Sequence, residues 1–214
     1  FRRWMRLKWI RSRMASSRFS GKTSNSIPIN PMANPLQFSE NAALLAFVLL
    51  PYPEWKAEIL DALRNAWGEI RHLGKLFPFD RTDYYASEMG YGLFRGVVSF
   101  ERTVAPHEIG AEKERSNALE CELSPKANGR RVNIDIGYMD LDKIVLPSYK
   151  RGPFKLYAGK GLWLDMILHY AKGRFLPTAW AFDDFRRNPY EHDLLLVREK
   201  FKKAMRAKDA CGKE

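Results

Sequence analysis

Residues 44–50 read LLAFVLL, an unbroken apolar run ended by Pro51. Its length suits a strand buried on both faces, because an exposed face would put alternate apolar side chains in water. A chain built round such a strand must cover the sheet twice. The material is present: 45% of the 214 residues are hydrophobic and 13% aromatic, enough for a core without covalent staples. Two cysteines, Cys121 and Cys211, are too few for a disulfide framework or a cysteine zinc cluster. Four isolated histidines show no zinc-ligand spacing. No apolar run approaches the roughly 20 residues of a membrane span.

The segments after the run alternate in kind. Trp55, Ile59, Leu63 and Trp67 recur at helical spacing, with Pro53 to open the helix and Gly68 to close it. Residues 70–79 predict a strand interrupted near Pro78. Residues 91–102 predict another, with Phe94, Val98 and Phe100 on one face and Arg95, Ser99 and Glu101 on the other. Pro106 opens a charged helix to Ser124 with a thin apolar side. On it Lys113, Asn117 and Glu120 share a face that reads as solvated. Residues 130–138 alternate strictly and predict a strand.

Strand, helix, strand, strand, helix, strand is the order of a ferredoxin-like βαββαβ core, an α+β fold. Residues 154–170 predict a β-hairpin through Gly159-Lys160-Gly161, and Lys172-Gly173 predicts a second tight turn. The expected organisation is a basic tail over 1–31 and one α+β domain over 32–214. That domain divides into a core (42–140), a hairpin cover laid on the sheet (141–187) and a C-terminal helix (188–207). Asn188 serves as the N-cap of that helix, Pro189 as its first residue and Glu191 as the partner in a capping box.

The net charge of +11 is concentrated in the tail: residues 1–31 hold eight basic side chains and no acidic one, which leaves +3 for the rest. The domain is therefore no strongly basic nucleic-acid module, and any nucleic-acid contact belongs to the tail. The tail itself reads as a disordered arm or an over-extended start, because Met32 lies just ahead of the first folded segment. A cytoplasmic location is expected.

No nucleotide motif is present. Gly90, Gly92 and Gly96 are one residue too widely spaced for a dinucleotide fingerprint, and Gly21-Lys22-Thr23 lacks the earlier glycine of a P-loop. The informative residues are polar ones at strand positions with apolar neighbours: Arg95, Asn133, Asp135 and Asp165. Buried carboxylates must be paired, protonated or metal-bound. The Arg95 and Asp135 strands should flank the first strand, roughly 10 Å apart at about 4.8 Å per step. A ligand or water between them is then expected, rather than direct pairing. An internal ion-pair network with Arg131 or Lys143 is the alternative. Asp80, Tyr84, Tyr85 and Glu88 crowd a loop after a strand, where sites often lie.

Several stretches together resemble the domain-of-unknown-function family 4416. They are FPFDRTDYYASEMG (77–90), Arg95 with 99–101, the helix residues Lys113, Asn117 and Glu120, RRVNIDIGY (130–138), LPSYK (146–150) and 180–186. The resemblance runs from about residue 42 to 205. The family favours Pro at 136, Glu at 165 and a His-Arg pair near 154–155, where this chain has Ile136, Asp165 and Phe154-Lys155. It carries over no activity. The residues themselves suggest an anion held by Arg95, Arg131, Asn133 and Lys150, with Glu88 beside it and Tyr84, Tyr85 and Tyr138 as walls. Asp80, Asp135 and Asp165 would serve as acid–base groups, with Asp135 and Asp165 the pair open to a divalent metal. The expected function is binding of a phosphorylated or carboxylated, nucleotide-like small molecule between sheet and cover, with metal-assisted chemistry. The alternative is a non-enzymatic interaction protein, dimerising or RNA-binding, whose polar cluster is structural.

Overall fold

All nine residues of strand β1 (Ala42–Leu50) are buried, so both faces of the run are covered. The computed structural model describes residues 40–124 and 129–211, so expectations about the 1–31 tail lie outside the described residues. After β1 come helix α1 (Ala57–Trp67), strands β2 (Ile70–Leu73) and β3 (Phe77–Phe79), the short α2 (Ala86–Met89) and the long β4 (Leu93–Val104). A single 3-10 turn at Pro106–Glu108 leads into α3 (Ile109–Leu123). Then follow β5 (Asn133–Met139), β6 (Lys143–Ser148), β7 (Leu156–Gly159), β8 (Leu162–Ala171), β9 (Arg174–Pro177), α4 (Asp183–Arg187) and α5 (Glu191–Cys211).

The described strands form one antiparallel sheet in the order β2-β4-β1-β5-β6-β8-β7, with β3 paired to β4 and β9 to β8. The chain is thus a mixed α and β protein built on a large antiparallel sheet. Leu44, Ala46, Val48 and Leu50 face a layer made by Ile59, Leu63 and Trp67 of α1 and Ile109 and Leu119 of α3. Ala43, Leu45 and Phe47 face Phe185 of α4, Tyr190, and Leu194, Val197 and Phe201 of α5.

The expected hairpin cover is corrected here. Residues 143–177 do not lie on the sheet; they extend it, β6 pairing with β5 and β8 running along β6. A hairpin laid on a sheet face leaves its own edges unpaired, whereas adding to the sheet edge satisfies them. The second face is closed instead by α5, which bonds its own backbone internally and brings an apolar stripe. Strand β6 was not anticipated as a separate element.

Asn188 is also corrected. It ends α4 in the left-handed conformation (φ 46°, ψ 57°), which asparagine tolerates. Its side-chain amide donates to the Phe175 carbonyl. Glu191 pairs with Arg174 through two bonds of 3.0 and 2.9 Å instead of completing a capping box. At the other end, α1 starts at Ala57, not Pro53, and Trp55 anchors the approach by donating its indole N–H to the Gly74 carbonyl at 2.9 Å.

Two buried polar contacts fix the helices to the sheet. His72 on β2 meets Asp193 of α5 at 2.9 Å, and the Asp193 carboxylate also accepts the Lys75 N–H. A Cβ at Gly74 would come within 2.9 Å of that carboxylate, so only glycine lets α5 seat there. On the opposite layer Glu112 of α3 accepts from the Trp67 indole at 2.9 Å and from Arg102 at 2.6 Å. Burial raises the Glu112 pKa, but those two donors outweigh it and hold the carboxyl below its ordinary 4.5. A depressed carboxyl pKa contributes stability above the unfolded value and loses it as pH falls through the folded one. The urea midpoint is therefore expected to fall between pH 5 and pH 3, and to fall less in Glu112→Gln. An unchanged pH response in that variant would remove Glu112 from the account.

Candidate functional site

Strands β5 and β6 share only two rungs, Tyr138↔Val145 and Met139↔Ile144. Before Tyr138, β5 stays with β1, while β6 follows β8 as far as Ser148↔Trp163. The parting point is Gly137, where a Cβ would sit 2.5 Å from the Val145 carbonyl oxygen and from Leu146 Cδ2. Ile134 lies opposite Val48 of β1 and has no β6 residue on its other side, where α3 takes its backbone groups. The Ile134 N–H donates to Glu120 Oε1 at 2.5 Å, and its carbonyl accepts from Ser116 Oγ at 2.6 Å. Buried backbone groups need such partners. The polar stripe of α3, Glu112, Ser116 and Glu120 at spacing four, is accordingly its buried side. Glu120 is not on a solvated face as its sequence spacing suggested.

A cavity of about 730 Å³ opens where the strands diverge. Its walls come from the 79–88 loop, β4, α3, β5, the β6–β7 connection, β8 and residues 180–186.

Arg95 is the centre of the inner wall. It is 4% exposed, and its guanidinium donates to Asp184 at 2.6 Å and to Asp135 at 2.5 Å. The expected separation from Asp135 is corrected by this contact. Arg95 lies opposite Leu49, and Asp135 opposite Phe47, on either side of β1. The extended arginine crosses diagonally above the Phe47 ring, 5.4 Å from its centroid, and reaches the carboxylate directly. Phe185 and Phe79 flank the same cation at 4.8 and 5.7 Å. Burial works against the charge, but Asp184 and Asp135 overcome it and raise the Arg95 pKa. Tyr190 donates to Asp184 at 3.2 Å, and burial pushes its phenol well above the usual range, as it does for Tyr85 beside Asp135. The alternative partners are engaged elsewhere: Arg131 donates to the Tyr52 hydroxyl and Lys143 pairs with Asp140.

Two further clusters complete the walls. Arg130 bridges Glu120 on α3 and Glu88 on α2, tying the 80–90 loop to the helix. Burial raises the Glu120 pKa, opposed by the Ile134 N–H and Arg130. Asp165, 8% exposed, accepts the Trp180 indole N–H at 3.1 Å and stands 3.7 Å from Lys155, which also donates to Ser148. Lys150 donates to the Tyr84 hydroxyl and lies over its ring.

Of the residues chosen from sequence, Arg95, Asn133, Asp135, Asp165, Tyr84, Tyr85, Glu88 and Lys150 line this cavity. Asp80, Arg131 and Tyr138 do not. Asp80 is exposed and pairs with Arg81; Tyr138 is packed in the core on the α1/α3 side. Sequence reasoning missed Lys113 and Asn117, which were read as solvated, and Lys155, Arg130, Trp180 and Asp184. The 180–186 stretch is among those that resemble the family, but nothing local marks it as part of a wall. Among the described residues no three His, Cys, Asp or Glu side chains are grouped to hold a metal.

Removing Arg95 would strand two carboxylates, and breaking a buried pair by deleting one partner costs about 3–5 kcal/mol. Arg95→Met is expected to lose stability of that order in urea unfolding, far more than Arg131→Met. Equal, small losses would show the network to be peripheral.

No curated protein and no solved structure matches the chain. The family model described as Domain of unknown function (DUF4416) matches residues 40–201, which take in β1 through most of α5 and every wall of the cavity. With most of its length matched, the chain belongs to the DUF4416 family.

Proposed function

We propose that the cavity binds a small phosphorylated or carboxylated molecule. The observation that carries this reading is an excess of donors without a counter-charge at its wall. Lys113 and Lys150 both line it with no ion-pair carboxylate among the described residues, Lys150 meeting only the Tyr84 hydroxyl. Asn133 Nδ2 and Arg95 Nε are buried without a hydrogen-bond partner. Leaving a buried donor unmade costs about 1–3 kcal/mol, and native chains leave few of them. An anion supplies acceptors and counter-charge together. Phosphometabolites, nucleotide-like ones included, are the class whose charge and acceptors fit.

Roles follow from placement. Lys113, Lys150 and Arg130 attract the anion, and Asn133 and Asn117 orient it. Asp135, with 27% of its side chain exposed and Arg95 beside it, is a carboxylate in reach of the ligand, as are Glu88 and Asp183 nearer the rim. Asp135 is placed to accept a ligand proton or hydrogen bond. Asp165 holds Trp180 and Lys155 and is a positioning residue.

The strand order β2-β4-β1-β5, with α1 and α3 on one face, supports a ferredoxin-like unit within the larger sheet. No described helix is long and apolar enough to cross a membrane. The free, exposed Cys121 thiol fits the reducing cytoplasm. The interaction-protein alternative draws on the edge strand β7, where Leu156 and Tyr157 stand exposed and a second chain could pair.

A thermal-shift screen of the full chain against inorganic phosphate, sugar phosphates, nucleotides and carboxylates tests the proposal. A ligand at about 100 times its Kd should add roughly 2.7 kcal/mol of stability. The shift is expected to vanish in Lys113→Glu and Lys150→Glu, both on the wall and neither in the core. A flat screen, or a shift that both variants keep, overturns the reading.

A further inference from the structure

Of the seven exposed aromatic side chains among the described residues, four line the cavity. Tyr84, Tyr149, Trp180 and Phe182 are all exposed and all line it. Trp180 is held by its ring face and by its indole N–H. Phe154 stacks on its ring at 4.9 Å between centroids and 16° between planes. A buried carboxylate, Asp165, grips the indole N–H at 3.1 Å, and Lys155 backs that carboxylate. Stacked on Phe154 and tied to Asp165, Trp180 still keeps 37% of its surface exposed. A carboxylate is costly to bury, and this one is spent on the orientation of a ring at the rim of a binding cavity. The volume points the same way: about 730 Å³ is the size of a site for a drug-sized ligand and far exceeds what a lone anion fills.

We propose that Trp180, braced by Phe154 and Asp165, is a stacking platform, and that the anion bound by this cavity carries a planar aromatic ring. The inference rests on the anion-binding reading and deepens it by naming the other half of the ligand. The cationic donors Lys113 and Lys150 take the phosphate or carboxylate; the ring lies on the free indole face. Stacking on an aromatic side chain is tolerant of ring identity, because every such ring offers a π-face. The platform therefore selects for an aromatic group without choosing among them.

The test compares matched probes on the full chain by isothermal titration: glycerol 3-phosphate as the aliphatic phosphate, phenyl phosphate and adenosine monophosphate as the aromatic ones. The aromatic phosphates are expected to bind at least about tenfold more tightly, within the range that single stacking contacts give. Trp180→Ala should bring the three to within about twofold of each other by weakening the two aromatic phosphates, with an unchanged far-ultraviolet circular dichroism spectrum showing that the fold is intact. Trp180→Phe should restore most of the preference. Equal affinities in the parent protein, or a preference that survives Trp180→Ala, would overturn the platform and leave the anion reading standing. No binding by any of the three phosphates, with binding of phenylacetate likewise absent, would overturn both.

Discussion

The guanidinium of Arg95 is the contact on which the arrangement of this molecule turns. It lies against the ring of Phe47, the largest side chain of the central strand, and takes one carboxylate from β5 and one from α4. Without a cation there, Asp135 and Asp184 would face each other across an apolar layer, which low local polarity penalises heavily. With it, α4 is drawn onto the sheet, Tyr190 is fixed through Asp184, and the polypeptide enters α5 at the right place to close the second face. The same group forms the inner wall of the cavity. Fold and site are thus not separable at this residue.

The other determinant is the early parting of β5 and β6. A sheet that loses pairing in its middle must find partners for the backbone it frees, and α3 supplies them from side chains. Ser116 and Glu120 serve the two polar groups of Ile134. This explains a helix whose apolar patterning is weak. Its inward side is half polar because, besides packing Ile109 and Leu119 on the sheet face, it serves a strand edge.

Much of the central fold was legible in the sequence because it rests on local periodicity. The doubly apolar run, the helix through Ile59, Leu63 and Trp67, the long strand around Val98 and the alternation in 130–138 each carry their own signal. What could not be read were relations between distant segments. Whether 143–177 lies on the sheet or beside it depends on two rungs between β5 and β6, which no periodicity marks. Asn188 and Pro189 make a good helix start on paper, but the left-handed turn that ends α4 uses the asparagine first. For the site, residues that were polar among apolar neighbours, such as Arg95, Asn133, Asp135 and Asp165, were found for that reason. Lys113 and Asn117 sit on a mostly polar helix, where nothing local separates a cavity wall from a solvated face. The reach of an arginine across a whole strand was also invisible to spacing, which counts strands and not side-chain length.

The seam between β5 and β6 has a mechanical meaning. It divides the sheet into two slabs joined by two rungs of backbone and by the apolar layer under α4 and α5. Asn133 and Asp135 belong to one slab, Lys150 and Asp165 to the other, and a guest in the cleft would touch both. Such a guest acts as the missing rungs of the ladder. Its affinity would then be felt as stiffness along a line where the protein alone is least reinforced, so that occupancy and rigidity of the whole sheet rise and fall together.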